Sequence, residues 1–259
     1  MTTRSGSVHI HRAVVGGLLA AAGLAWWSTA VRMRGMNAAP GTDLGTVGWY
    51  AVTWVIMMAA MMLPSLTPAA VAATAARRDI ASGTVLFAGG YLFVWTLAGL
   101  AVFGVLAVAS HWAGLAWASG GRWLSVGVLI IASAYELTRI KRSFLTRCRC
   151  PLARAASGDR HGPILEGMSA GVWCLGCSWA LMAALFALGV MSLTWMVLVA
   201  ALVAFEKLAP SPRAGTALAA TVLTALAFGV AAFPRHVPGL VVPAGHGPMA
   251  TMGMTGGQR

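Results

Sequence analysis

Seven apolar runs, near 13–31, 49–73, 84–110, 123–140, 165–190, 192–209 and 214–233, follow one another along a chain of 259 residues. Each comes close to or exceeds the roughly 20 residues that a helix needs to cross a hydrocarbon core about 30 Å thick. Backbone polar groups in hydrocarbon must pair among themselves, which leaves only helices and closed barrels. Barrel strands would alternate apolar and polar residues in segments of about 10. These runs are almost continuously apolar, so the expected fold is all-α, a polytopic transmembrane helix bundle of seven spans. Charged residues make up 9% of the chain, against about a quarter in soluble domains. The first run is longer than the about 7–15 apolar residues of a secretory signal, and it reads as a retained span. The expected organisation is a cytoplasmic tail over 1–12, a transmembrane domain over 13–233 and a flexible extracytoplasmic tail over 234–259. A basic cytoplasmic loop is expected at 141–164.

A net charge of +12 raises the question of nucleic acid, and the placement of the charges answers it. With the N-terminus inside, the inner segments hold Arg4, Arg12, Arg77, Arg78, Arg139, Lys141, Arg142, Arg147, Arg149, Arg154, Arg160, Lys207 and Arg213. The outer segments hold only Arg32, Arg34, Arg122, Arg235 and Arg259. Such an excess of inner Lys and Arg orients a chain N-in and C-out. It also suits anionic headgroups, so the lipid bilayer is the expected partner and nucleic acid is not.

Thiol, thioether and ionisable groups inside spans carry the chemical information. Cys174 and Cys177 in "GVWCLGCSWALM" are i and i+3, so their sulfurs share one helix face. Cys174 lies about 10 residues into the fifth span, roughly 15 Å deep at about 1.5 Å per residue. Helical packing of small residues accounts for such a pair as readily as metal ligation does. Cys148 and Cys150 form a Cys-x-Cys in the basic loop. Arg147 and Arg149 beside them favour the thiolate, which is the metal-binding form. Met57, Met58, Met61 and Met62 in "WVIMMAAMMLP" make two i,i+4 thioether pairs, followed by Pro64, which is expected to end the run and kink the span. Thiolate and thioether select soft ions such as Cu(I), although methionine also fills gaps in any bundle. Glu136 and Glu206 lie near the inner ends of their spans, where acidic groups usually face the interior and pair. The structural alternative to a metal role is an ion pair, with Arg139 at i+3 for Glu136 and with Lys207 or a nearby Arg for Glu206. In the tail, His236, His246, Met249, Met252 and Met254 suit either a copper-catching end or a plain unstructured one. The closing "MTGGQR" resembles part of an expression tag.

"MMAAMMLP", "AYELTRIKRSFLTRCRCPL", "GVWCLGCSWALMAALFALGVMSLTWM" and "EKLAP" occur in that order. Over about 49–209 the chain resembles a bacterial family of predicted metal-binding integral membrane proteins, a domain of unknown function. The resemblance implies a multi-pass protein of the bacterial inner membrane with a metal site, and no reaction comes with it. It marks Met58, Met61, Met62, Tyr135, Glu136, Cys148, Cys150, Trp173, Cys174, Cys177, Trp179, Met182, Met191, Trp195, Met196, Glu206 and Lys207. Two positions depart from the family pattern: Ser178 stands where a further Cys is expected, and Glu136 where Gln is frequent.

The expected metal ligands are therefore Cys174, Cys177, Cys148, Cys150, Met58, Met61, Met62, Glu136 and Glu206. Copper is the expected ion and zinc the alternative, bound for transfer, storage or transport, with room for a protein partner. A membrane copper oxidoreductase or oxygenase is the second reading, and a thiol–quinone oxidoreductase the third. The scarcity of histidine in the spans speaks against haem and imidazole-rich copper sites. No hydrolase, Walker or dinucleotide-binding signature occurs.

Overall fold

The computed structural model describes residues 3–33, 46–74, 79–112, 117–149, 162–189 and 192–232. Among them are eight helices: α1 (Thr3–Met33), α2 (Val47–Thr74), α3 (Ile80–Trp112), α4 (Trp117–Glu136), α5 (Arg139–Arg149), α6 (Pro163–Leu188), α7 (Leu193–Leu208) and α8 (Pro212–Ala232). No strand occurs among the described residues, so the chain is all-α. The seven apolar runs correspond by position to α1–α4 and α6–α8. Five helices are long and apolar enough to cross a membrane unaided: α1, α2, α3, α6 and α8. A sixth span arises if α4 and α5, bent by 66° at their junction, count as one. α7 has 16 residues, about 24 Å at 1.5 Å per residue, which is short of the roughly 30 Å hydrocarbon core.

Local chemistry builds the bend between α4 and α5. The Thr138 hydroxyl donates to the Tyr135 carbonyl at 2.7 Å and accepts the Lys141 N–H at 3.2 Å. Thr138 therefore caps α5, satisfying one of the amides that a helix N-terminus leaves unpaired. A loop is expected from 141, but the chain instead turns at Leu137–Thr138 and stays helical to Arg149. Residues 150–161 lie outside the described residues. Pro64 does not end α2 either; both Pro64 and Pro68 sit inside the helix. Hydroxyls on the same turns add side-chain hydrogen bonds to the backbone there, from Ser65 to the Met62 carbonyl at 2.9 Å and from Thr67 to the Leu63 carbonyl at 3.2 Å.

α6 is the hub, packed against α3, α4, α5, α7 and α2. Its approach to α3 depends on glycine. A Cβ on Gly167 would collide with the Phe87 carbonyl, and one on Gly171 would lie 2.9 Å from the Val94 Cβ. Small residues at such crossings let membrane helices approach closely. Polar groups bind the remaining helices: Trp54 Nε1 donates to the Trp95 carbonyl at 2.7 Å, and Ser133 joins the Ala220 carbonyl and Thr224 at 3.0 and 2.8 Å. The core between them is apolar, with Met58, Met62, Leu181, Leu185, Met196 and Leu223 fully buried. The outward faces are apolar too: Trp27, Val85, Val105, Ile131 and Phe228 are each at least 63% exposed. That distribution is compatible with a membrane, where lipid replaces water around the bundle.

Candidate metal centre

Helical periodicity puts Cys174 and Cys177 on the inner face of α6, and the bend into α5 brings Cys148 over them. The three Sγ atoms lie within 4.8 Å of one another, and all three cysteines are free. Cys174 and Cys177 are 1% exposed, whereas Cys148 is half-buried. At a metal–sulfur distance of about 2.3 Å, a planar three-sulfur set would have sulfurs about 4.0 Å apart. The observed sulfurs, at most 4.8 Å apart, lie within about 1 Å of that separation. Three thiols, two of them fully buried, are a soft donor set, suited to Cu(I) before hard ions such as Mg²⁺ or Ca²⁺.

The sulfurs are not chemically equivalent. Cys174 Sγ accepts the Tyr91 hydroxyl from α3 at 2.9 Å and the Lys207 ammonium from α7 at 3.1 Å. Cys177 instead donates its S–H to the Cys174 carbonyl at 3.2 Å. Ser178, one turn from Cys174, bonds the same carbonyl at 2.8 Å. Lys207 also donates to Ser65 Oγ at 3.0 Å, tying α7 to α2 as well as to α6. Five helices thus meet around one cluster.

Glu136 and Glu206 belong to a neighbouring cluster. Lys141 on α5 donates to both oxygens of Glu206 at 2.9 and 2.8 Å and forms an ion pair with Glu136. All three side chains are at most 2% exposed. The ion-pair partners considered from sequence, Arg139 and Lys207, are not the ones used: Lys141 takes both carboxylates, and Lys207 turns to sulfur. Lys141 and Cys148 are seven residues apart on α5, so one buried helix face carries both clusters. Met58, Met61 and Met62 are buried on α2 in the apolar core that includes Cys174. Met61 and Met62 lie one turn before Ser65, the residue that Lys207 reaches. Cys150 and the His/Met tail lie outside the described residues.

Sequence reasoning did not find Tyr91, Lys141, Ser65 or the sulfur-facing role of Lys207. Tyr91 is one of only three tyrosines, yet nothing in "GGYLFVW" ties it to a thiol 83 residues away. Residues 51–230, more than half of the chain, match a family described as PpoB2, copper chaperone. The chain belongs to the PpoB2 copper chaperone family. Neither the curated proteins nor the solved structures provide a match. The matched segment runs from α2 into α8 and contains all three clustered cysteines together with Tyr91, Lys141, Glu206 and Lys207. Membership in the PpoB2 copper chaperone family and the three-thiol cluster agree on metal binding.

Proposed function

We propose that this protein is an integral membrane copper chaperone that holds Cu(I) on Cys148, Cys174 and Cys177 and transfers it to or from a partner. The observation that carries this reading is the convergence of three sulfurs from α5 and α6, two of them fully buried, in a PpoB2-family chain. Copper is the cargo, and thiolate ligation keeps it in the Cu(I) state. Lys207 and Tyr91 hold the Cys174 sulfur in place, so the ligand set is preorganised on rigid helices rather than on loops. Met58, Met61 and Met62 supply a soft, apolar wall on α2. Glu136 and Glu206, held by Lys141, fix α5 and hence Cys148. Cys150, two residues beyond Cys148, is the next thiol along the chain for an ion arriving or leaving.

The apolar outer surface and the long apolar helices support a multi-pass protein of the bacterial inner membrane. The bias of basic residues supports an N-in, C-out arrangement, with the bent α4–α5 pair and α7 completing the seven segments. In that arrangement, the tail over 1–12 is cytoplasmic, 13–233 forms the transmembrane domain and 234–259 lies outside.

Elemental mass spectrometry on anaerobically purified protein tests the proposal. Near-stoichiometric copper is expected in the wild type, and far less in Cys148→Ser, Cys174→Ser and Cys177→Ser. X-ray absorption on the loaded protein should show sulfur as the only neighbour of copper. Equal trace copper in the wild type and the three variants would overturn the reading.

A further inference from the structure

Cys148 is the one member of the thiol cluster that is not fully buried, and it lies on an arginine-rich helix. Cys148, the half-buried member, sits at the end of α5, whose outward residues Arg139, Arg142 and Arg147 are exposed. Arg142 is engaged only locally, donating Nη2 to the Leu137 carbonyl at 3.2 Å. Arg213, at the start of α8, is exposed as well. Next to Cys148, Arg149 donates Nη2 to the Ala209 carbonyl, which anchors its guanidinium at the α7–α8 turn. Its Nη1 is buried and has no acceptor among the described residues. A buried guanidinium N–H without an acceptor is costly, and it offers an anion a charge-assisted hydrogen bond. None of the described carboxylates provides that acceptor. Glu136 and Glu206 are bound to Lys141, Asp79 accepts the Ser82 N–H, and Glu166 is engaged too.

We propose that Arg149 and the basic outward face of α5 receive copper from small anionic Cu(I)–thiolate complexes, carriers whose thiol is joined to a carboxylate. This inference rests on the copper reading above and names the class of donor. A carrier carboxylate accepts from Arg149 Nη1, which places the carrier's Cu–S bond beside Cys148. Ligand exchange then proceeds one sulfur at a time. A bond from Cu to Cys148 Sγ forms, a bond from Cu to a carrier sulfur breaks, and the Cys148 proton leaves on the released carrier thiol. Exchange at a deeper sulfur repeats the same balance. Copper remains Cu(I) throughout and no electron is transferred.

The test compares two copper donors with full-length protein in neutral detergent under anaerobic conditions. One donor is the Cu(I) complex of glutathione, an anionic thiol tripeptide, and the other is the Cu(I) complex of cysteamine, a cationic thiol. Stopped-flow absorbance follows the copper–sulfur band of the loaded protein. Steering into a charged cleft changes association rates by roughly 10–10³, so the anionic-to-cationic rate ratio at low salt should fall about tenfold in Arg149→Gln. It should fall in the same direction when salt is raised to about 1 M, where the screening length is about 3 Å. Because Arg149 also anchors the α7–α8 turn, Arg142→Gln provides a second variant, and it too should lower the ratio. A ratio that ignores salt and both substitutions overturns the proposal. Failure of both donors to load any copper would instead sink the copper reading itself, so the two failures are distinguishable.

Discussion

Lys141→Met is expected to be among the most damaging single substitutions in this protein. Lys141 is fully buried between two buried carboxylates, Glu136 and Glu206, and these groups join α4, α5 and α7. Methionine preserves the length and apolar stem of lysine, so little packing is lost. What is lost is the cation, leaving two carboxylates facing each other in a low-dielectric interior. Removing one partner of a buried ion pair costs about 3–5 kcal/mol, mostly because the remaining charge is uncompensated. With about 2–4 °C per kcal/mol for a chain of this size, the thermal midpoint in detergent should fall by about 6–20 °C. The triple variant Lys141→Met/Glu136→Gln/Glu206→Gln removes the charges together with the cation and should recover much of the loss. Copper retention should follow the same order, because Cys148 lies two turns beyond Lys141 on α5. The assay is thermal unfolding of purified single and triple variants, followed by competition with a Cu(I) chelator. A midpoint for Lys141→Met within 2 °C of wild type, or a triple variant no better than the single one, would refute the argument that the triad holds α5 in place.

Three further outcomes can be checked in the same preparation. Gly171→Ala puts a methyl group against Val94 and should cost about 1–3 kcal/mol as overpacking. It should also push α3 away from α6, seen as faster alkylation of Cys174 once the Tyr91 contact is lost. Ser133→Ala removes the bonds to Ala220 and Thr224 and should cost about 0.6 kcal/mol in unfolding experiments, and no more than about 1.7, the average and maximum for polar contacts between membrane helices. Asp79 caps α3, and its carboxyl is held below the usual carboxylate range by hydrogen bonds from the Ser82 backbone N–H and then the Ser82 side chain. A depressed folded-state pKa contributes stability above the unfolded pKa, and that stability disappears as pH falls through the folded pKa. Asparagine keeps the cap but not the charge, so the midpoint difference between wild type and Asp79→Asn should be present near neutrality and vanish in acid; a difference independent of pH would count against a stabilising carboxylate charge at this helix start.

Much of this molecule was legible in its sequence. Run length and continuous hydropathy dictate helices, because a backbone without water has no other way to satisfy its hydrogen bonds. The i,i+3 spacing of Cys174 and Cys177 commits both sulfurs to one face, since that is a property of the helix and not of its neighbours. The break at Leu137–Thr138 was harder to see. It depends on a threonine cap, which competes with continuation of the helix only when the following turn has somewhere to pack.

Pairing between helices could be settled only by the tertiary structure. Glu136 has Arg139 at a suitable helical spacing, yet it pairs with Lys141 across the bend, because the bend turns Lys141 inward toward both carboxylates. Glu206 and Lys207 are adjacent in sequence, but about 100° apart around a helix, so one meets Lys141 while the other meets Cys174 and Ser65. Cys148, 26 residues before Cys174, completes the thiol cluster because α5 folds back against α6. Periodicity fixes where a side chain points around its own helix; which neighbour waits there depends on glycine contacts, caps and buried charges that act between helices.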